Sequence, residues 1–347
     1  MTRLSIIAVL FATVATATSA HADLKLPDPS PAARVSQTIG LTEVTVAYHR
    51  PGVNGRKIWG ELVPYNETWR AGANENTTIT FSSDVKVGGK PLRAGTYGLH
   101  MIPTAKDWTV VLSTTTTAWG SYGYDAKEDA LRVTVTPRAT ATPEERMAFR
   151  FDELSNTKAT LVLAWDKLAV PVAIEVDTPK VVMASIRAQL RGQDGFSAEA
   201  FGQAARYWLR NGGPLDEAAK LADRSIEMKP TYQNQMVRAA IFEKQGNTKA
   251  ATELRAKAEP IATASDLNQV AYGLMSEKKV DEAVRMLQTS TQRFPESWFL
   301  QDTYAEALAT KGDKPAAIAA YTKALALVKD ASEKKRIETT LATLKAR

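Results

Sequence analysis

Residues 170–190 read VPVAIEVDTPKVVMASIRAQL, and the rhythm of the chain changes inside them. Val170, Val172, Ile174 and Val176 alternate with Pro171, Ala173 and Glu175, the period of two that a half-buried strand requires. Pro171 has no amide donor, which predicts a sheet edge for this strand. From Thr178 onward Ala, Leu, Glu, Lys and Arg dominate and β-branched runs vanish, a helical pattern. The chain thus divides near Asp177–Thr178 into two folds of different kind.

Upstream, the alternation recurs in Val44–Tyr48, Thr77–Phe81, Val85–Val87, Leu131–Val135 and Met147–Phe151. Trp108–Leu112 and Leu161–Trp165 are denser in apolar residues and suit central strands. Gly88-Gly89, Ala94-Gly95, Pro103, Pro137 and Pro143 supply the turns. Eight or nine short strands with no helix among them predict an all-β antiparallel sandwich or jelly roll over residues 23–177.

Downstream, a repeat is visible. Ala271, Leu274, Ala283 and Leu287 line up with Ala305, Leu308, Ala317 and Tyr321 at a shift of 34, and Ala218 and Ala251 stand about one period apart upstream. Pro230 and Pro295 end second helices, while Gly312-Asp313-Lys-Pro315 combines a turn, an N-cap and a first-turn proline. The pattern resembles tetratricopeptide repeats, in which alanine lets paired helices approach closely. Residues 178–347 are therefore expected to form an all-α solenoid of three to four helical hairpins. That resemblance implies a protein or peptide partner on the face made by the first helices, here carrying Asn268, Tyr272, Met275, Phe299, Asp302 and Glu306.

The N-terminus reads as an export signal: Met1-Thr-Arg3, an apolar run from Leu4 to Val14, and Ala20-His21-Ala22 as a cleavage site. Cutting after Ala22 leaves 325 residues and predicts a periplasmic or secreted protein with no stable membrane span. The chain has no cysteine, which excludes disulfides and thiolate metal sites. Residues 23–177 carry 17 Lys and Arg against 18 Asp and Glu, whereas residues 178–347 carry 26 against 20. The excess is mixed with carboxylates rather than gathered into a stripe, which argues against nucleic-acid binding.

The richest chemistry lies in Tyr48–Phe81, YHRPGVNGRKIWGELVPYNETWRAGANENTTITF. It gathers Arg50, Arg56, Trp59, Trp69, Arg70, Asn74 and Glu75 between turn formers, and Trp119, Tyr124, Asp129 and Arg132 form a second constellation. Two readings stand side by side. Arginines and indoles can knit long loops into a satisfied polar network. They can also form a site in which indoles stack on a polar ligand, such as a sugar or an anionic peptide end, while Arg, Asn and Glu hydrogen-bond it. An enzymatic version would use Glu75 or Asp129 as acid/base and Arg70 to stabilise negative charge, in a hydrolase acting on an envelope glycan or peptide. A nucleophile elbow and a phosphate loop are both missing, and no metal or other cofactor is expected, since His49 and His100 fall on different strands.

Residues 29–176 resemble a bacterial family catalogued as domain of unknown function 2911. The likeness rests on Tyr48-His-Arg50-Pro51, Gly55-Arg56-Lys-Ile58-Trp59-Gly60, Pro64-Tyr65, Trp69-Arg70-Ala-Gly72-Ala73-Asn74-Glu75 and Thr77. It continues through Ala94-Gly95-Thr96-Tyr97, Pro103, Trp108, Trp119-Gly120, Tyr124 and Asp129-x-x-Arg132. It implies an exported β domain, sometimes joined to tetratricopeptide repeats, and brings no settled activity. The expected function is a binding or scaffold protein: the β domain recognises a ligand or envelope partner, and the helical repeats mediate protein–protein interaction.

Overall fold

Alternation of apolar and polar side chains gives a strand one face to bury, and two such faces closed on each other make the first domain. The computed structural model describes residues 26–346, so the export segment expected over residues 1–22 lies outside the described residues. Among the described residues the first unit has ten strands: β1 (Ala32–Ile39), β2 (Thr42–His49), β3 (Thr78–Phe81), β4 (Val85–Val87) and β5 (Lys90–Leu92), then β6 (Gly95–Ile102), β7 (Trp108–Ser113), β8 (Asp129–Val135), β9 (Arg138–Asp152) and β10 (Lys158–Glu175). They form a six-stranded sheet, β1-β2-β3-β6-β7-β8, and a four-stranded sheet, β5-β4-β10-β9, antiparallel throughout.

The sheets meet through large rings. Tyr48 of β2 packs edge-on to Phe149 of β9 at 4.9 Å, and the Phe149 amide donates to the Tyr48 hydroxyl at 3.0 Å. Trp59, from the loop after β2, lies 4.7 Å from Trp108 of one sheet and 5.7 Å from Trp165 of the other.

Three strands add to those that the alternation announces, among them β6, which is buried at five consecutive positions and so shows no period of two. β1 has only half-buried alternate positions before Ile39, and β5 is three residues long. The segments Leu161–Trp165 and Val170–Val176 belong to a single strand of 18 residues, β10. The edge position expected from Pro171 is corrected, because β10 lies between β4 and β9. The register explains how proline is tolerated there: pairing with β9 ends at Ala169, and pairing with β4 begins at Ile174. Pro171 occupies the gap in which no ladder amide is required.

In the second unit, ten helices follow among the described residues: α1 (Thr178–Gln189), α2 (Ala198–Arg210), α3 (Leu215–Met228), α4 (Tyr232–Lys244) and α5 (Thr248–Ala258), then α6 (Ala264–Ser276), α7 (Val280–Arg293), α8 (Trp298–Lys311), α9 (Lys314–Leu327) and α10 (Ala331–Ala346). The pairs α2/α3, α4/α5, α6/α7 and α8/α9 are the tetratricopeptide-like units. Their seams are alanine: Ala205, Ala239, Ala271 and Ala305 on the first helices and Ala218, Ala251, Ala283 and Ala317 on the second are all fully buried. Thr231 and Thr263 close capping boxes on α4 and α6. Gly312, left-handed at φ 95°, ends α8 one residue before Asp313 caps α9.

Candidate functional site

The long connection between β2 and β3 carries the first constellation, and the structure disperses its members. Arg50 donates from Nε to the Met147 carbonyl at 2.8 Å, tying the loop to β9. Arg56 folds back on its own turn, donating to the carbonyls of Val53 at 3.1 Å and Gly52 at 2.6 Å. Trp59 belongs to the ring cluster between the sheets. Asn74, left-handed at φ 57°, donates its amide to Asp28 at 2.7 Å. Glu75 does not reach Arg70; its carboxylate stands 3.3 Å from His49 Nε2.

Trp69 and Arg70 go elsewhere. The Trp69 amide donates to the Met101 carbonyl and the Met101 amide to the Trp69 carbonyl, both at 2.8 Å, so the loop is stitched to β6 at this point. The Trp69 indole stacks on Trp165 at 5.8 Å and donates to the Gly72 carbonyl at 3.2 Å. Beside it opens a hollow of about 400 Å³, lined by Glu67, Thr68, Trp69 and Arg70 from this loop and by Ser121, Tyr122 and Tyr124 from the connection between β7 and β8. The two constellations therefore meet, through Trp69 and Arg70 on one side and Tyr124 on the other. Glu75 and Trp119 form a short antiparallel bridge that joins the same two loops.

Gly120 makes the junction possible. Its φ is +65°, and a Cβ there would lie 2.7 Å from Arg70 Nη1. Trp119 and Tyr122 beside it are 61% and 91% exposed, an unusual display of large rings.

Behind the hollow stands a closed polar network. The Tyr124 hydroxyl donates to the Asp129 carboxylate at 3.0 and 2.8 Å, Arg132 Nη2 donates to the Tyr124 oxygen at 2.5 Å, and Arg132 Nε donates to Asp129. Burial first, then the Asp129 hydrogen bond, raises the Tyr124 phenol above its ordinary value, and the bond to Asp129 raises the Arg132 guanidinium. Asp129, with a side chain only 7% exposed, is thus committed to Tyr124 and Arg132. Neither Asp129 nor Glu75 lines the hollow; the carboxylate that does is Glu67.

Arg70 differs from its neighbours. Among the described residues it makes no ion pair and donates no hydrogen bond, and its Nε is buried without an acceptor. His100, on β6 and 2% exposed, brings Nδ1 to 3.1 Å from Ser121 Oγ and packs its ring 5.4 Å from Tyr124. Burial lowers its basicity below the usual imidazole value, against the opposing charge of Asp129. The sequence does not single out Glu67, Ser121 or Tyr122, and it brings up His100 only as a metal ligand, a role set aside with His49. The available cue was Gly120-Ser121-Tyr122-Gly123-Tyr124, a serine in a glycine-flanked aromatic turn.

On the helical domain, the expected face is partly self-satisfied. The Tyr272 hydroxyl donates to Glu306 at 3.2 Å and accepts from Thr303 at 3.3 Å, while Asp302 is held by Arg336 at 2.6 Å. Asn268 keeps a buried side-chain oxygen without a partner. Among the described residues no group of three His, Asp or Glu is arranged for a metal ion, and no helix is long and apolar enough to cross a membrane.

Residues 30–174 match the family described as "Protein of unknown function (DUF2911)". The β domain is a DUF2911 domain. No curated protein matches the chain. Solved structures similar to it include the "APC/C hetero-tetramer Cut9-Hcn1" at 19% identity, covering 44% of this chain and 29% of that one, with a TM-score of 0.27. Pseudomonas aeruginosa pilF matches at 20% identity over 45% of this chain and 71% of that one, TM-score 0.30. "YrrB: a TPR protein with an unusual peptide-binding site" matches at 16% identity over 46% and 84%, TM-score 0.28. The chain spans less than a third of the Cut9-Hcn1 chain. Likenesses of this size carry nothing about function.

Proposed function

We propose that the protein is an exported scaffold whose DUF2911 domain binds a small carboxylate-bearing ligand, from an envelope glycan or peptide, and whose tetratricopeptide-like repeats dock a protein partner. The observation that carries the ligand reading is Arg70. A guanidinium with a buried N–H and no acceptor forfeits hydrogen bonds that water would have given it. An oxyanion entering the hollow would restore them, and a carboxylate matches the planar donor fork. Trp69, Tyr122 and Tyr124 offer ring faces to the rest of the ligand, and the Ser121 hydroxyl and Glu67 carboxylate favour one that also carries donors. Envelope glycans and peptide ends supply both features.

The repeat surface supports protein docking because its core positions are spent on alanine seams while the first-helix faces retain polar and aromatic groups such as Asn268 and the half-exposed Tyr272.

The test is thermal shift of the mature protein against sugar acids, N-acetylated amino acids and the matching uncharged amides. A ligand at about 100 times its Kd stabilises the folded state by about 2.7 kcal/mol. Carboxylates are expected to stabilise the wild type, amides to fail, and Arg70→Gln to lose the response while melting normally. Carboxylate shifts that survive in Arg70→Gln would remove Arg70 from the site and the reading with it.

A further inference from the structure

We infer that Ser121 is a nucleophile activated by His100, and that the hollow hydrolyses carboxylic esters whose acid product is the carboxylate held at Arg70. The inference rests on the reading of Arg70 as an anion anchor and adds chemistry to it. Three placements carry it. Ser121 lies on the wall of the hollow, half-buried and reachable, while its hydroxyl is 3.1 Å from Nδ1 of an imidazole that is itself closed off from solvent. A serine oxygen within hydrogen-bond reach of a buried histidine is the pairing that nucleophilic catalysis requires. Arg70 Nη1 comes up against Gly120, the residue before Ser121, and Arg70 has no other partner among the described residues. An unpaired, fixed cation next to a nucleophile is placed for charge that develops during reaction.

The chemistry closes without a further reagent. Ser121 Oγ attacks the acyl carbon while its proton passes to His100 Nδ1, and the carbonyl electron pair moves onto the oxygen facing Arg70. Collapse of this tetrahedral species breaks the bond to the alcohol, which leaves with the proton from His100. Water then gives a proton to His100 and attacks the acyl-serine. The second collapse returns that proton to Ser121 Oγ and releases the acid, which ionises to the carboxylate. The product oxygens lie where the oxyanion developed, so the ground-state anion site and the reaction site are one. Burial lowers the basicity of His100, which favours the neutral form a general base requires, and Tyr124 packs against its ring. Asp129, bound to Tyr124 and Arg132, supplies negative charge nearby for the imidazolium stage.

The experiment is labelling of the intact mature protein with a fluorophosphonate–biotin reagent, located by peptide mass spectrometry, together with hydrolysis of p-nitrophenyl acetate. The expected result is a single adduct at Ser121, absent in Ser121→Ala. His100→Gln should label at least ~100-fold more slowly, the usual contribution of a general base. A Ser121→Ala protein that keeps the wild-type circular dichroism and a cooperative melt, yet takes no label, ties the loss to the missing hydroxyl rather than to unfolding. No adduct at Ser121 in wild type overturns the inference even where carboxylates bind through Arg70. An adduct that forms equally fast in folded His100→Gln overturns the dyad. Labelling at Ser121 without any carboxylate binding would leave the nucleophile and remove the anchor.

Discussion

The helical repeats and the β2–β3 loop treat their arginines differently. In the helical repeats Arg187 pairs with Glu217, Arg238 with Asp223, Arg255 with Glu243, and Arg336 with both Asp302 and Glu333. In the β2–β3 loop of the DUF2911 domain the arginines meet no carboxylate: Arg50 and Arg56 take backbone carbonyls, and Arg70 takes nothing. Helices present side chains at fixed spacing, so acids and bases on neighbouring helices find one another at the surface. A loop leaves backbone carbonyls unpaired, and a guanidinium is the side chain that can gather several of them. Against that background a loop arginine that gathers none is the exception, and it faces a hollow.

The largest effects should come from the two cores, which fail in opposite ways. Trp108→Ala empties the ring cluster shared by Trp59, Trp108 and Trp165 and should cost about 4 kcal/mol, as large-to-small changes at buried aromatics do. Hydrogen exchange read by mass spectrometry should rise across β2, β7 and β10 and stay unchanged in α4–α9. In the repeats the vulnerable change is enlargement. Ala305→Leu forces a side chain into a fully buried helix seam and should cost about 3 kcal/mol, with exchange rising in α6–α9. If Ala305→Leu were neutral, the seams would not be close-packed and the contrast would fail.

These cores also show what the sequence made legible. The alanine repeat near 34 residues reports a helix seam directly, because the period of the residues is the period of the fold. Val44, Val46, Ile79 and Phe81 are equally plain, since alternation survives burial. The place of Pro171 was not legible, because it depends on where β9 stops and β4 starts, which is tertiary information. The site was half legible. Trp69, Arg70 and Tyr124 stand out by type, but Ser121 gains meaning only from His100, which a strand 21 residues away in sequence brings to it. Asn74, Glu75 and Arg70 share a short segment with positive φ at Ala71 and Asn74, yet Asn74 turns to Asp28 and Glu75 to His49 while Arg70 meets neither, a result no spacing rule anticipates.

A smaller effect separates the domains by pH. Arg187 donates twice to Glu217, at 2.7 Å each, and this pairing lowers the Glu217 carboxyl to about 2. Because the folded value lies below the ordinary 4.5, the pairing contributes fully above pH 4.5, and its stabilisation is lost as the pH falls toward 2. Both groups are partly exposed, so the loss should be about 1 kcal/mol. Opening of α1–α3 should therefore become easier between pH 5 and pH 2.5 in wild type, and Glu217→Gln should flatten that dependence. An unchanged slope in the variant would show that the bidentate geometry carries no net stability.

The smallest stability effect is the one that sharpens the comparison most. Arg50→Gln removes a charged donor from the Met147 carbonyl, a half-buried bond between loop and β9, and should cost about 1.5 kcal/mol. Arg70→Gln removes a cation that has no partner to lose, so the fold should change by less than about 0.5 kcal/mol in either direction. Denaturant titration of the two variants side by side measures the difference. A structural arginine cannot be deleted without leaving an acceptor stranded, whereas a ligand-holding arginine can, because its acceptor arrives from outside. Equal losses in both variants would mean that Arg70 braces the loop through packing on Gly120, and the hollow would then have to be explained without a cation of its own.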